Sequence, residues 1–418
     1  MYFFYFYPLG LDRPCRGVPV VTRALELLMV LAFVWLRYAP GWGPLRPWAL
    51  VFVPGNEAPW TVVTAVFLHL SWLHLLGNLV YFHVFGPALE ARLGGVRYLV
   101  YLLLMGAAGN TLHGVCSVMG WLVPRGLGVL GASGAIAGLL ALSLVRFYDA
   151  RVRVGWWVFA PLGGQNRAGR SEVPVVVAVG LWLVLQAVQA LLAGETGSTT
   201  SFGAHFGGFA MGLFLGLAMG QHKEARAESR AAAARRYLRL GQAHAAVGAW
   251  LECLELLPGD EEGLLELARA RSLAGQHALA GADYRRVFAR RAAAGDVTAA
   301  LEVFAEADRG LAGRVFRPDE LAKVAYWREK LGDEPGALDA YEKLFWSYPD
   351  HPEGHRALVR VIVLLHGKLA DPVRARSFLA EAAHRLPRGG WRHFLQREFN
   401  LAPAPGAGPG ARRAPVPR

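Results

Sequence analysis

What this sequence lacks is the first guide to it. No lysine occurs before Lys223, so arginine alone carries positive charge in the first half. Charged residues make up 18% of the chain, below the roughly 25% of soluble proteins. Cysteine is scarce. Cys15, Cys116 and Cys253 are odd in number, far apart and in no metal-ligand spacing, which excludes a disulfide scaffold. No His-Glu-x-x-His occurs, which argues against zinc peptidase chemistry. No pair of aspartates falls inside an apolar segment, which argues against an aspartyl mechanism. His69, His74, His83, His113 and His205 fit no recognised metal spacing, and neither a metal nor a cofactor is expected.

What is present is apolar. The chain has 418 residues, 54% of them hydrophobic, with mean hydropathy +0.28 and net charge +12. Such values do not suit a purely soluble protein of this length. The basic excess alone admits nucleic acid, a membrane surface or membrane topology.

The chain changes character near residue 221. Six hydrophobic segments precede it, approximately 23–41, 60–85, 97–122, 130–147, 173–193 and 201–220, each near the ~20 residues that a membrane helix needs. Arg13, Arg16 and Arg23 precede the first. Arg92 and Arg97 follow the second. Arg146, Arg151, Arg153, Arg167 and Arg170 lie between the fourth and fifth, and Lys223, Arg226 and Arg230 follow the sixth. The opposite loops hold only Arg46 and Arg125. By the positive-inside rule both termini face the cytoplasm, so much of the charge is a topology signal and no nucleic-acid partner is expected.

Polar residues inside such segments are costly and often functional. The second segment contains His69, His74 and Asn78; the last two, four apart, share one helix face. The fourth opens Gly131-Ala132-Ser133-Gly134-Ala135. This is not the hydrolase elbow, because Ala135 stands where that motif has glycine. The sixth contains His205 and glycines at 208, 212, 216 and 220, a small-residue ladder for close helix approach. The stated orientation puts Ser133, His205, His69, His74 and Asn78 at one depth, toward the extracytoplasmic side. A serine hydroxyl needs a base to become a nucleophile, and His205 is the candidate base. Asn78, His74 and the Ser133 backbone N–H are candidate donors to an oxyanion. With no intramembrane aspartate, this reads as a dyad.

At these residues the sequence resembles the rhomboid family of intramembrane serine proteases, over about residues 55–220. The matching features are His74 with Asn78, Gly131 to Gly134, His205 with Gly208 and Gly212, Trp60, and the run Gly86, Glu90, Arg92, Gly94. The sequence departs from the family at Thr61, where arginine is frequent, and at Ala137, where several members place an aromatic ring. The resemblance implies a six-helix bundle, Ser133 as nucleophile, His205 as base, and substrates that are single-span membrane proteins cleaved within or near their transmembrane segment.

Beyond residue 220, Ala234, Gly241, Ala246 and Trp250 recur at an offset of 34 as Ala268, Gly275, Ala280 and Tyr284, and again as Ala325, Gly332, Ala337 and Tyr341. That period resembles the tetratricopeptide repeat, with a diverged unit at about 290–318 and a weaker one from His355 to Leu386. The expected fold is all-α. A cytoplasmic segment 1–22 leads into a six-helix membrane domain, 23–220. An α-solenoid of about four or five helix pairs, 221–400, offers a surface to a peptide or partner protein, and a disordered tail, 401–418, follows. The Arg-, Ala- and Gly-rich usage points to a bacterial plasma membrane. The alternative is a non-proteolytic membrane scaffold that recruits partners through its repeats.

Overall fold

The computed structural model describes residues 3–13, 17–38, 49–55, 58–121, 123, 125–160, 165–192, 200–311 and 315–382. The tail at 401–418, Cys15, Arg16 and Arg46 lie outside them. The chain falls into two compact units, Met1–Glu228 and Ser229–Arg418.

In the first unit the helices are α1 (Val20–Tyr38), α2 (Thr61–Thr64, continued by a 3-10 turn to Phe67), α3 (Trp72–Leu93), α4 (Gly95–Met119), α5 (Ser133–Arg146), α6 (Val175–Leu191) and α7 (Phe202–Ala218). The second apolar segment is thus not one helix. Leu68 is extended, Ser71 caps α3 by accepting from the His74 N–H at 3.2 Å, and the two pieces meet at 94°. His69 sits in that break, which corrects its expected place on the helix.

Among the described residues, α4 is by length and composition the one helix able to cross a membrane, and the bent pairs 61–67 with 72–93 and 202–218 with 221–239 qualify as broken spans. Helix α5, with 14 residues, extends about 21 Å, short of the ~30 Å hydrocarbon layer. It is nevertheless the centre of the unit. Nearly all its residues are buried; only Ser133 and Leu144 are partly open. Helix α6 instead exposes Val177, Leu181, Val184 and Leu185, an apolar outer face suited to lipid.

The all-α expectation is corrected by a three-stranded antiparallel sheet ordered β1 (Phe3–Leu11), β2 (Arg151–Ala160), β3 (Gln165–Pro174). The cause is legible in hindsight: Arg151-Val-Arg-Val alternates with period two, the pattern of a half-buried strand. Gly155 faces Tyr7 across the sheet, and a Cβ there would lie 2.8 Å from the tyrosine ring.

Glu90, in the last turn of α3, fixes α1. It accepts from the Val21 N–H at 2.8 Å, the Thr22 N–H at 2.7 Å and the Thr22 hydroxyl at 2.6 Å. A buried carboxylate at a helix start satisfies donors that the helix cannot. Arg146, buried at the end of α5, binds Glu228 through both terminal nitrogens, at 2.5 and 3.2 Å.

The helices beyond Gly220 are α8 (Gln221–Arg239), α9 (Ala243–Leu256), α10 (Glu261–Leu273), α11 (His277–Ala293), α12 (Val297–Gly310), α13 (Pro318–Lys330), α14 (Glu334–Ser347), α15 (Pro352–His366) and α16 (Pro372–Ala382). Gly241, Gly275 and Gly332 turn the chain at φ near +75°, and so does Gly295, which the repeat pattern did not include. Ala234, Ala246, Ala268, Ala280, Ala325 and Ala337 are fully buried. Among its described residues the segment 290–318 holds one complete helix, α12, whose Ala300 and Phe304 are buried.

Candidate active site

Three stretches of backbone meet around the start of α5. Gly131 has φ +121°, a conformation closed to other residues, and its N–H donates to the Ala65 carbonyl at 2.9 Å. A Cβ on Gly131 would lie 2.7 Å from His74 Cε1 and Nε2 and 3.8 Å from Asn78 Nδ2. The turn that delivers Ser133 therefore runs directly against the His74–Asn78 face of α3. Asn78 is buried, and its Nδ2 has no hydrogen-bond partner among the described residues. His74 is partly open and meets the His69 ring edge-on, with centroids 5.0 Å apart.

The third stretch is α7. Its approach to α5 is a contact of backbone on backbone. A Cβ on Gly134 would lie 3.1 Å from the Ala204 carbonyl oxygen. Cβ atoms on Gly208 and Gly212 would collide with the carbonyl oxygens of Gly134 and Gly138. The residue after Ser133 and the residue before His205 are thus in contact. Gly216 continues the ladder against Val145. Gly220, expected as its last rung, has no atom of a neighbouring helix within 4 Å and turns the chain at φ +71° instead.

His205 is buried. No hydrogen bond joins it to Ser133; its Nδ1 donates to Gln186 Oε1 of α6 at 2.6 Å. Trp182, one turn earlier on α6, tilts over the same imidazole with centroids 6.1 Å apart, and Phe202 meets it edge-on at 6.4 Å. The sequence reading did not single out Gln186 or Trp182. The signal in the sequence is that Gln186 is a polar residue within an apolar segment. The Trp182 ring of α6 and the Phe202 ring of α7 flank His205, where Ala137 offers none.

The start of α7 is fixed by Ser201. Its Oγ accepts from the Ala204 N–H at 3.2 Å and donates to His113 Nδ1 at 2.5 Å, while His113 Nε2 donates to the Leu127 carbonyl at 2.8 Å. His113 is therefore a structural tie between α4, α7 and the segment leading to α5. Among the described residues, no three His, Cys, Asp or Glu side chains converge as metal ligands do. An apolar cavity of about 390 Å³ lies between α3, α6 and the sheet, lined by Tyr81, Phe85, Val152, Trp182 and Leu185 among others.

A bundle of apolar helices with a hydroxyl, an amide and imidazoles gathered at its centre is the form of an integral membrane protein with an internal polar site. Residues 56–222 match the Rhomboid domain. Among curated proteins, the chain is 35% identical to chloroplastic rhomboid-like protein 11 of Arabidopsis thaliana, over 22% of this chain and 29% of that one. It is 32% identical to a Bacillus subtilis protein with a provisional rhomboid-protease name, over 31% of this chain and 63% of the relative. It is 30% identical to rhomboid-like protease 3 of Toxoplasma gondii, over 30% of this chain and 48% of the relative. The chain thus spans between 29% and 63% of these relatives' lengths. Residues 56–222 are thus similar to the Rhomboid domain and to proteins named as rhomboid-like or rhomboid protease.

Proposed function

We propose that this chain is an intramembrane serine endopeptidase that cleaves transmembrane segments of other membrane proteins with Ser133 and His205. The observation that carries the reading is the meeting at α5. The turn before Ser133 abuts His74 and Asn78, and the turn after it abuts the residue preceding His205. Two other helices, α3 and α7, abut the turns on either side of one partly open serine.

In this reading His205 Nε2 takes the proton of Ser133 Oγ as the oxygen attacks the scissile carbonyl. The negative charge that develops is met by the Asn78 amide, the His74 imidazole and the Ser133 N–H. Asn78 is suited to that part, because a buried amide donor without a partner costs about 1–3 kcal/mol and an oxyanion relieves it only as it forms. His205 then returns the proton to the leaving amine, and water cleaves the acyl-enzyme by the reverse path. Gly131, Gly134, Gly208 and Gly212 hold the helices close enough for this chemistry. The apolar cavity beside α6 suits an apolar substrate chain.

The remaining parts of the proposal follow from the sequence. Both termini are cytoplasmic, the site opens to the extracytoplasmic side of a bacterial plasma membrane, and the helices beyond 220 form a tetratricopeptide-like solenoid that binds a peptide or partner protein. The test is a fluorophosphonate probe on purified protein in liposomes, with cleavage of a helix-destabilised transmembrane reporter. Wild type is expected to label at Ser133 and cleave. Ser133→Ala and His205→Ala are expected to insert and do neither. Folded wild type that neither labels nor cleaves would favour the scaffold reading.

A further inference from the structure

We infer that Gln186 is a positioning residue for His205, so that the working unit is Ser133, His205 and Gln186 rather than a dyad. The inference rests on the catalytic reading above and adds to it. A base histidine must keep one ring nitrogen unprotonated and aimed at the nucleophile, and the partner of the other nitrogen decides which one that is. Here the partner is an amide oxygen. Gln186 Oε1 can only accept, so at 2.6 Å from His205 Nδ1 it requires the proton on Nδ1. That leaves Nε2 free to take the proton of Ser133.

The surroundings make the contact specific. His205 is buried, and the ring is further confined by Trp182 and Phe202. Gln186 and Trp182 are four apart on α6, so both project toward α7 from one face. Trp182 in turn stacks on Phe209 one turn beyond His205, at 6.2 Å and 18°. Helix α6 thus holds the imidazole in place and Gln186 sets its tautomer. A neutral amide differs from a carboxylate in one respect: it orients the ring without adding a buried negative charge to an apolar site, where an ion is costly.

The perturbation is a near-isosteric Gln186→Met, with Gln186→Glu as the rescuing variant. Both are read in liposomes against wild type, Ser133→Ala and His205→Ala. As His205 gains charge in the transition state, the lost bond is one to a charged group, and kcat is expected to fall about 10–100-fold with KM within twofold. Gln186→Glu restores the acceptor, so kcat recovers above the Met variant. Its carboxylate also holds the imidazole proton more firmly, so the acid limb of kcat/KM moves to higher pH than in wild type. A merely structural residue would move neither the limb nor the kcat-to-KM split. If Gln186→Met does not fold, judged by melting in detergent, the pH limb of Gln186→Glu decides alone. Gln186→Met within twofold of wild type, or a Gln186→Glu profile superimposed on wild type, overturns the inference and leaves the Ser133–His205 reading intact. A Ser133→Ala variant as active as wild type overturns that reading instead.

Discussion

Gly208→Ala is the sharpest perturbation of the proposed geometry. The added methyl group collides with the Gly134 carbonyl oxygen, and it would lie 2.6 Å from the carbonyl carbon. A relaxed carbon contact needs about 3.5 Å, so α5 and α7 must separate by about 1 Å. Because Ser133 precedes Gly134 and His205 lies one turn before Gly208, the separation opens the distance between nucleophile and base. A displacement of that size costs about 100-fold in rate, and overpacking costs about 1–3 kcal/mol of stability. Gly180→Ala on α6 is the control, since a Cβ there meets nothing within 4 Å. Both changes replace a helical glycine by alanine, so their difference isolates the clash. Reporter cleavage in liposomes and thermal unfolding in detergent are the assays. Gly208→Ala with kcat within twofold of wild type and the same melting as Gly180→Ala would refute the close-approach argument.

Two further outcomes are expected. Glu90→Ala strands two backbone N–H groups and the Thr22 hydroxyl at the start of α1, and the two donors of Thr22 are buried; at about 1–3 kcal/mol for each buried orphan the loss is at least about 2 kcal/mol. Glu90→Gln, which keeps one acceptor oxygen, costs less, and denaturant titration in detergent distinguishes the two. In the second unit, Arg269 binds Glu306 at 2.6 Å through two nitrogens and Tyr284 donates to it at 2.8 Å. The Arg269 guanidinium holds the Glu306 carboxyl below its usual 4.5. A depressed carboxylate pKa adds stability that is present above the unfolded value and lost as pH falls through the folded one. The stability gap between wild type and Glu306→Gln should therefore be full at pH 7 and close below about pH 4.5; a gap independent of pH would contradict the network.

The sequence by itself determined which residues are exceptional. A hydroxyl, an amide and imidazoles inside apolar segments stand out because burying them is expensive. The turn glycines 241, 275 and 332 stand out because a period of 34 repeats them. Periodicity also located the helices, since a 3.6-residue pattern of apolar and small residues is local information. Four things were decided only in three dimensions. The break at Leu68–Ser71 removes His69 from α3, because Ser71 caps a new helix where hydropathy ran on unchanged. The sheet joins residues 3–11 to 151–174, a pairing across more than a hundred residues that no local pattern specifies, although the alternation at Arg151–Val154 announced one strand. Gln186 and Trp182 reach His205 from a different helix, and helical spacing cannot say which faces of two helices meet. The Gly208 and Gly212 ladder showed that α7 would approach something closely. That the something is the carbonyl backbone of α5, next to Ser133, is a property of packing.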